Sequence, residues 1–381
     1  MCIFCTPARS NINRRNTEHP FYTADSAPNP LYFLPKSRYN ELSMQIRTNV
    51  PLKDYSTMRL GGIAEALTTV STKEELAEAV AWAEASNKSW LMLGGGSNVI
   101  FSNGYHGLVI INALHGFEVL GHDNGSVTLR LGAGEIWDDI VARTVAQGYS
   151  GIEKLSAIPG TTGATPVQNV GAYGAEIADV LLELEAYDTR TKSFVMLTNA
   201  DCHFSYRNSI FKSTKDRHYV ITSIIIKLSK QWPEPPFYES LQAYLTKNHI
   251  SEYSPAALRS AVVAIRAQKL PDPQIVANTG SFFKNPIVTS GKHTQLQQEY
   301  PDIPFYELKD KRIKLLAGWL IDRTGLKGYR SHGMKIYEKN ALVLINESAK
   351  DYEDLAAFRQ EIVDKVHATF GITLEQEPEL I

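Results

Sequence analysis

The sequence predicts an α+β protein of at least two units, and three observations carry that prediction. Strand-like and helix-like segments mix: the β-branched run Val220-Ile221-Thr222-Ser223-Ile224-Ile225-Ile226 shares the chain with amphipathic KEELAEAVAWAEAS at 73–86. A proline-rich break, WPEPPFY at 232–238, separates two such mixtures and sets a hinge around 230–260. At 381 residues the chain is also too long for one ordinary domain of about 150 residues.

Composition narrows the class. Hydrophobic residues make up 43% and charged residues 21%, enough for a full core. The 41 acidic and 39 basic side chains give a net charge of −2, so no global field draws the chain to nucleic acid or anionic membranes. A local basic pocket for a phosphorylated small molecule remains open. Three cysteines cannot form a disulfide framework, which points to a reducing compartment. Cys2 and Cys5 form a C-x-x-C without a second ligand pair, so no metal site is expected. No apolar run approaches the ~20 residues of a membrane helix, and the opening MCIFCTPARSNINRRN is too weakly apolar for a signal peptide. A globular cytoplasmic protein is expected.

Element by element, residues 1–43 hold Pro7, Pro20, Pro28, Pro30 and Pro35 and no sustained apolar period, which predicts a disordered extension ahead of Met44. The helix at 73–86 places Leu76, Val80 and Ala83 on one stripe. A strand at Trp90–Leu93 runs into Gly94-Gly95-Gly96-Ser97-Asn98. Another at Ser126–Leu131 ends in Gly132-Ala133-Gly134-Glu135, with a helix over 136–147. Strands follow at Leu182–Tyr187 and Tyr219–Leu228. Ser254-Pro255 is an N-cap with proline at the first helical position, and that helix ends before Leu270-Pro271-Asp272-Pro273. A strand at Ala341–Ile345 and a helix at 351–369 complete the chain. Cys202, beside His203, reads as a packing residue.

The glycines carry the first functional signal. Three in a row after a strand let backbone N–H groups converge without a Cβ in the way, a nest suited to phosphate or diphosphate. The sequence has no G-x-x-x-x-G-K-[ST], and Trp137 stands where a dinucleotide fingerprint needs its third glycine. A tight turn is the simpler alternative. Ile158 to Gly174, IPGTTGATPVQNVGAYG, is an aperiodic stretch of 17 residues with four glycines and two prolines. Long aperiodic segments inside compact domains are usually functional. Its small residues would let backbone lie against a flat ring system, with Gln168 and Asn169 at the ring edge.

LGGGSN (93–98) with IPGTTGATPVQNVGAYG (158–174) resembles the flavin-binding half of the UDP-N-acetylenolpyruvoylglucosamine reductases, the MurB family. YRNSIFK (206–212), KLPDP (269–273) and GSFFKNP (280–286) agree, in order, over nearly all of the chain from Val50. WPEPPFY and QNVGAYG look like the subtype with an extra tyrosine-bearing loop. The resemblance implies a two-part FAD-binding domain of the vanillyl-alcohol-oxidase/PCMH type over 44–235. A smaller α+β substrate-binding domain would follow over 255–370, and a tail over 371–381 would return to the active site.

It further implies FAD as cofactor, held by Gly94, Gly95, Gly96, Ser97, Asn98, Pro159, Gly160, Gly163, Gln168, Asn169 and Gly171, and NADPH as co-substrate. The reaction would be reduction of UDP-N-acetylglucosamine enolpyruvate to UDP-N-acetylmuramate in peptidoglycan precursor synthesis. Arg207 matches the active-site arginine, which suits a carboxylate gaining charge; Ser281 matches the proton donor; Glu379, the second acid of Glu377-Pro378-Glu379, matches the catalytic glutamate. The family carries an arginine two residues after that glutamate, where this chain has Ile381. For the UDP-sugar, the resemblance points to Tyr238, Arg266, Lys269, Asn285, Tyr306 and Asn340. Arg266 and Lys269, three apart near a helix end, also suit a simple dipole role. The small-molecule UDP-sugar would be the only partner of a monomer. Two rival readings stay open: a flavin oxidase of the same fold, and a UDP-sugar-binding module without catalysis.

Overall fold

The computed structural model describes residues 44–212 and 218–381; the expected extension at 1–43, with Cys2 and Cys5, lies outside the described residues. The chain is α+β and opens with two sheets. In the first, Arg47–Pro51 pairs antiparallel with Ile63–Val70, which runs parallel to Tyr105–Asn112, itself parallel to Ser89–Leu93. Parallel pairing needs a crossover, supplied by helix α1 (Lys73–Ala85). Thr72 accepts a hydrogen bond from the Glu75 N–H and Glu75 reaches back to the Thr72 backbone, a capping box that starts α1 where the apolar stripe begins.

The second sheet is antiparallel, in the order Ser193–Thr198, Leu181–Asp188, Tyr219–Ser229, Ser126–Gly132, Phe117–His122. Its central strand is buried at every position from Val220 to Ile226, so its sequence is a continuous β-branched run rather than an alternation. Helix α2 (Trp137–Ala146) follows the turn Gly132–Glu135 and buries Trp137, Ile140, Val141 and Val145. One core joins both sheets, α1 and α2, with Trp90, Trp137 and Phe211 among its largest members.

Two helices, α3 (Glu239–Lys247) and α4 (Pro255–Lys269), lie inside or just after the expected hinge. They share a small core of Leu241, Leu245, Leu258, Val262 and Ile265 with Tyr173 and Phe237 packed on it, and α4 also packs against α2. Ser254 caps α4 by accepting from the Ala257 N–H, with Pro255 at its first position. The remaining residues form a sheet in the order Asn278–Ser281, Val343–Asn346, Met334–Ile336, Arg330–Ser331, and a smaller sheet of Ile287–Val288, Ile313–Leu315 and Phe305–Glu307. Helices α5 (Ser290–Glu299), α6 (Ala317–Arg323) and α7 (Tyr352–Phe370) cover them around Phe282, Phe283, Leu320 and Phe358. Gly371 ends α7 at φ 62°.

The last residues tie the halves together. Gln376 bridges to Phe283, Glu379–Leu380 pairs in parallel with Val99–Ile100, and the main-chain oxygen of Ile381 accepts from Ser102 N–H (2.8 Å) and Oγ (2.7 Å). Among the described residues no helix is long and apolar enough to cross a membrane.

Candidate active site

Two loops meet where the sequence placed a flavin. Ser89–Leu93 ends in Gly94-Gly95-Gly96, and a Cβ on Gly95 would stand 2.9 Å from the Cα of Gly160. Gly96 takes φ 60°, and its Cβ would fall 1.9 Å from the Tyr55 carbonyl oxygen. Ser97 Oγ donates to the Pro159 carbonyl (3.0 Å), and Gly163 N–H donates to Ala133 O (2.9 Å). The triple glycine is therefore packed on one side by the 158–163 backbone. On its other side a cleft is lined by Gly94, Gly95, Tyr55, Lys53 and Arg59. Bare backbone beside two cations suits the diphosphate of FAD, so the cradle fits that cofactor. Gly95→Ala should force the two loops apart at a cost of about 1–3 kcal/mol. The purified variant should carry substoichiometric FAD by its absorbance; full occupancy would contradict the cradle.

Beyond this cradle, a cavity is walled by Ser97, Asn98, Pro159, Gln168 and Gly171 from the first half and by Arg266, Thr279, Gly280 and Ser281 from the second. Arg207 and Glu377 complete it. Asn98 Nδ2 donates to Gln168 Oε1 (2.8 Å), and Gln168 Nε2 reaches Glu377 Oε1 (3.4 Å). Arg207, held at φ 54°, donates from Nε to Glu377 Oε1 (2.9 Å) and from Nη2 to the Gly171 carbonyl (3.1 Å). Both charged side chains are mostly buried, at 21% and 11% exposure, so the pair is held in one geometry rather than sampling solvent. The arrangement offers a fixed guanidinium, a carboxylate anchoring it and a hydroxyl, all on one cavity beside the glycine cradle.

The cavity is lined by Glu377; Glu379, the glutamate matched from the family, lies two residues further along the same tail. Glu377 N–H donates to the Phe282 carbonyl (2.8 Å), seating it next to the Ser281 strand. After Pro378 the chain has crossed to the first half, where Glu379 N–H donates to Asn98 O (2.9 Å) and Glu379 pairs with Val99. Asn169 is buried within the 158–174 loop. It sits at φ 48°, donates from Nδ2 to Glu176 Oε2 (2.6 Å) and accepts from Ala178 N–H (3.2 Å), so it braces its own loop.

Both halves of the chain match known families. Residues 64–193 match the FAD binding domain family, and residues 272–381 match the C-terminal domain of UDP-N-acetylenolpyruvoylglucosamine reductase. Over 334 residues the chain is 41% identical to the UDP-N-acetylenolpyruvoylglucosamine reductase of Neisseria gonorrhoeae, covering 87% of this chain and 96% of that protein. The same identity and coverage of this chain hold for the reductase of Ralstonia nicotianae, of which 98% is covered. The chain belongs to the UDP-N-acetylenolpyruvoylglucosamine reductase family. The crystal structure of the Thermus caldophilus MurB superposes with a TM-score of 0.59 at 26% identity, over 88% of this chain and 99% of that one. The fold is thus that of an FAD-dependent oxidoreductase.

The remaining residues expected from the family are spread more widely. Tyr238 and Tyr306 hydroxyls lie 2.9 Å apart, and Tyr173 meets Tyr238 edge-on with ring centroids 6.1 Å apart. Burial first, and then the bond to Tyr306, push the Tyr238 phenol up, so its hydroxyl stays protonated. Asn285 Oδ1 accepts from Ala317 N–H (3.0 Å) at the start of α6, and Asn340 Oδ1 accepts from Leu342 N–H (3.1 Å). Asn285 lines a neighbouring groove with Tyr206 and Lys284 rather than the cavity itself. Lys269 is exposed at the end of α4.

Sequence reasoning passed over three side chains. Lys212, the last residue of YRNSIFK, places Nζ 3.4 Å from both Gln168 Oε1 and the Arg207 carbonyl; burial and then Lys284 lower its pKa. Lys314 Nζ lies 5.2 Å from the Tyr206 ring and 5.4 Å from the Tyr306 ring, its pKa lowered by burial and by Arg207. Thr279, two residues before Ser281 and lining the same cavity, has a buried hydroxyl that lacks a hydrogen-bond partner among the described residues. Cys202 is fully buried, donates to the Thr198 carbonyl (3.3 Å), and its thiol is pushed up to about 12 by burial. That is a packing residue's environment. No group of three or more metal-ligating side chains forms among the described residues.

Proposed function

We propose that this chain reduces UDP-N-acetylglucosamine enolpyruvate to UDP-N-acetylmuramate with NADPH, in the cytoplasm, as a step toward peptidoglycan precursors. One observation carries the reading: a single cavity brings the Arg207–Glu377 pair and Ser281 against the loops that cradle the flavin. Bound FAD supplies hydride transfer between NADPH and the enolpyruvyl double bond. The rest is done by side chains. Hydride addition makes the substrate carboxylate enolate-like, and Arg207 offers it donors not spent on Glu377 or Gly171. Glu377 fixes the guanidinium plane. Ser281 hands its hydroxyl proton to the carbon next to the carboxylate; a weak acid suffices because an enolate is a strong base.

In this reading Arg266 and the Tyr238–Tyr306 pair receive the anionic and aromatic parts of the UDP-sugar, with Asn285, Asn340 and Lys269 around them. Residues 44–235 hold the flavin, and 255–370 bring the substrate to it. The test is a coupled stoichiometry. NADPH oxidation should require UDP-N-acetylglucosamine enolpyruvate, with one UDP-N-acetylmuramate formed per NADPH consumed and no oxygen uptake. Substrate-dependent oxygen consumption without need of NADPH would replace the reductase reading with an oxidase.

A further inference from the structure

Ala157 stands immediately before Ile158, Pro159 and Gly160 with φ 56°, a left-handed conformation that disfavours any residue with a Cβ. Both polar groups of its backbone are held by side chains from helices. Its N–H donates to Asp138 Oδ1 at 2.6 Å, and its carbonyl accepts from Arg266 Nε at 3.2 Å. Asp138, in the first turn of α2, is gripped in turn by Arg259: Nη1 to Oδ1 at 2.6 Å and Nη2 to Oδ2 at 3.0 Å. Arg259 and Arg266 are seven residues apart on α4, two turns, and so share the face that packs on α2. Burial pushes the Asp138 carboxyl up, but the Arg259 guanidinium and the Ala157 N–H outweigh it and hold it below the usual carboxylate value. The fork is therefore charged at neutral pH.

The consequence runs into the flavin cradle. Ile158 and Pro159 line the cavity, Pro159 is tied to Ser97, and Gly160 is the backbone on which Gly95 rests. A change in φ at Ala157 would swing all three. We propose that Asp138 and Arg259 are positioning residues that hold Ala157 left-handed and so set the Ile158–Gly160 backbone against the cofactor. A helix of the substrate-side half thereby fixes the geometry of the flavin-side loop. The inference rests on the FAD-reductase reading, but its readout is cofactor binding and so separates from it.

The test compares Arg259→Met, Asp138→Asn and each combined with Ala157→Gly, measured by FAD dissociation constant and visible flavin spectrum. Each single variant should weaken FAD binding at least about tenfold and shift the flavin bands. Adding Ala157→Gly should restore most of the loss, because glycine adopts φ 56° without the clamp. Arg259→Lys, which keeps the charge but loses the fork, should fall between Arg259→Met and the native protein. Native-like FAD affinity and spectrum in both single variants would overturn the proposal, as would double variants no better than the singles. If Arg259→Met does not fold, the Asp138→Asn pair decides by the same criteria. Failure of the native protein to bind FAD or turn over would instead sink the reductase reading.

Discussion

Ser281→Ala is expected to lower the rate of substrate reduction by roughly 10²–10⁴-fold, the range lost with a positioned proton donor, while NADPH still bleaches the flavin at close to the native rate. The asymmetry follows from geometry. Ser281 ends the strand Asn278–Ser281 and faces the cavity shared with Arg207 and Glu377, but it belongs to neither flavin loop. Removing one hydroxyl leaves the Gly95–Gly160 contact and the Asn98–Gln168 bond untouched. Rapid mixing resolves the two half-reactions. An equal loss in both would mean that Ser281 supports cofactor placement and donates no proton.

The second large effect separates two glutamates. Glu377→Gln is expected to cost about 10²–10³ in kcat. It removes the negative partner that holds Arg207 Nε at 2.9 Å, leaving a mostly buried guanidinium without its counter-charge. Glu379→Gln should cost less than Glu377→Gln, because Glu379 is not the carboxylate hydrogen-bonded to Arg207 Nε. Steady-state kcat for both variants, side by side, decides the register of the tail. The reverse order would give Glu379, the family-matched glutamate, the larger role.

What the sequence made legible was whatever has a period or a cap. Tyr219–Ser229 is a β-branched run because it is buried on both faces, and α4 is bounded by Ser254 and Pro255. The two glycine loops were readable as closely approaching backbone, and Gly95 does rest on Gly160. Helix α5, SGKHTQLQQE, was not readable: its only buried side chains are His293 and Leu296, too few to form a stripe. Helix α6 is only seven residues long. Motif matching picks Glu379, the second acid of Glu-Pro-Glu, and gives no sign that Glu377 bonds Arg207. That contact depends on where the chain crosses from Phe282 to Val99, a tertiary fact. The Ala157 clamp was equally invisible, since Arg259 and Asp138 are separated by 121 residues.

The most direct test of the account is a single-turnover experiment on the native protein. Enzyme reduced with one equivalent of NADPH and freed of NADP⁺ is mixed anaerobically with UDP-N-acetylglucosamine enolpyruvate. Full return of the flavin absorbance within one turnover and one equivalent of UDP-N-acetylmuramate are expected. Flavin that stays reduced until oxygen is admitted, with the enolpyruvyl group intact, would contradict it.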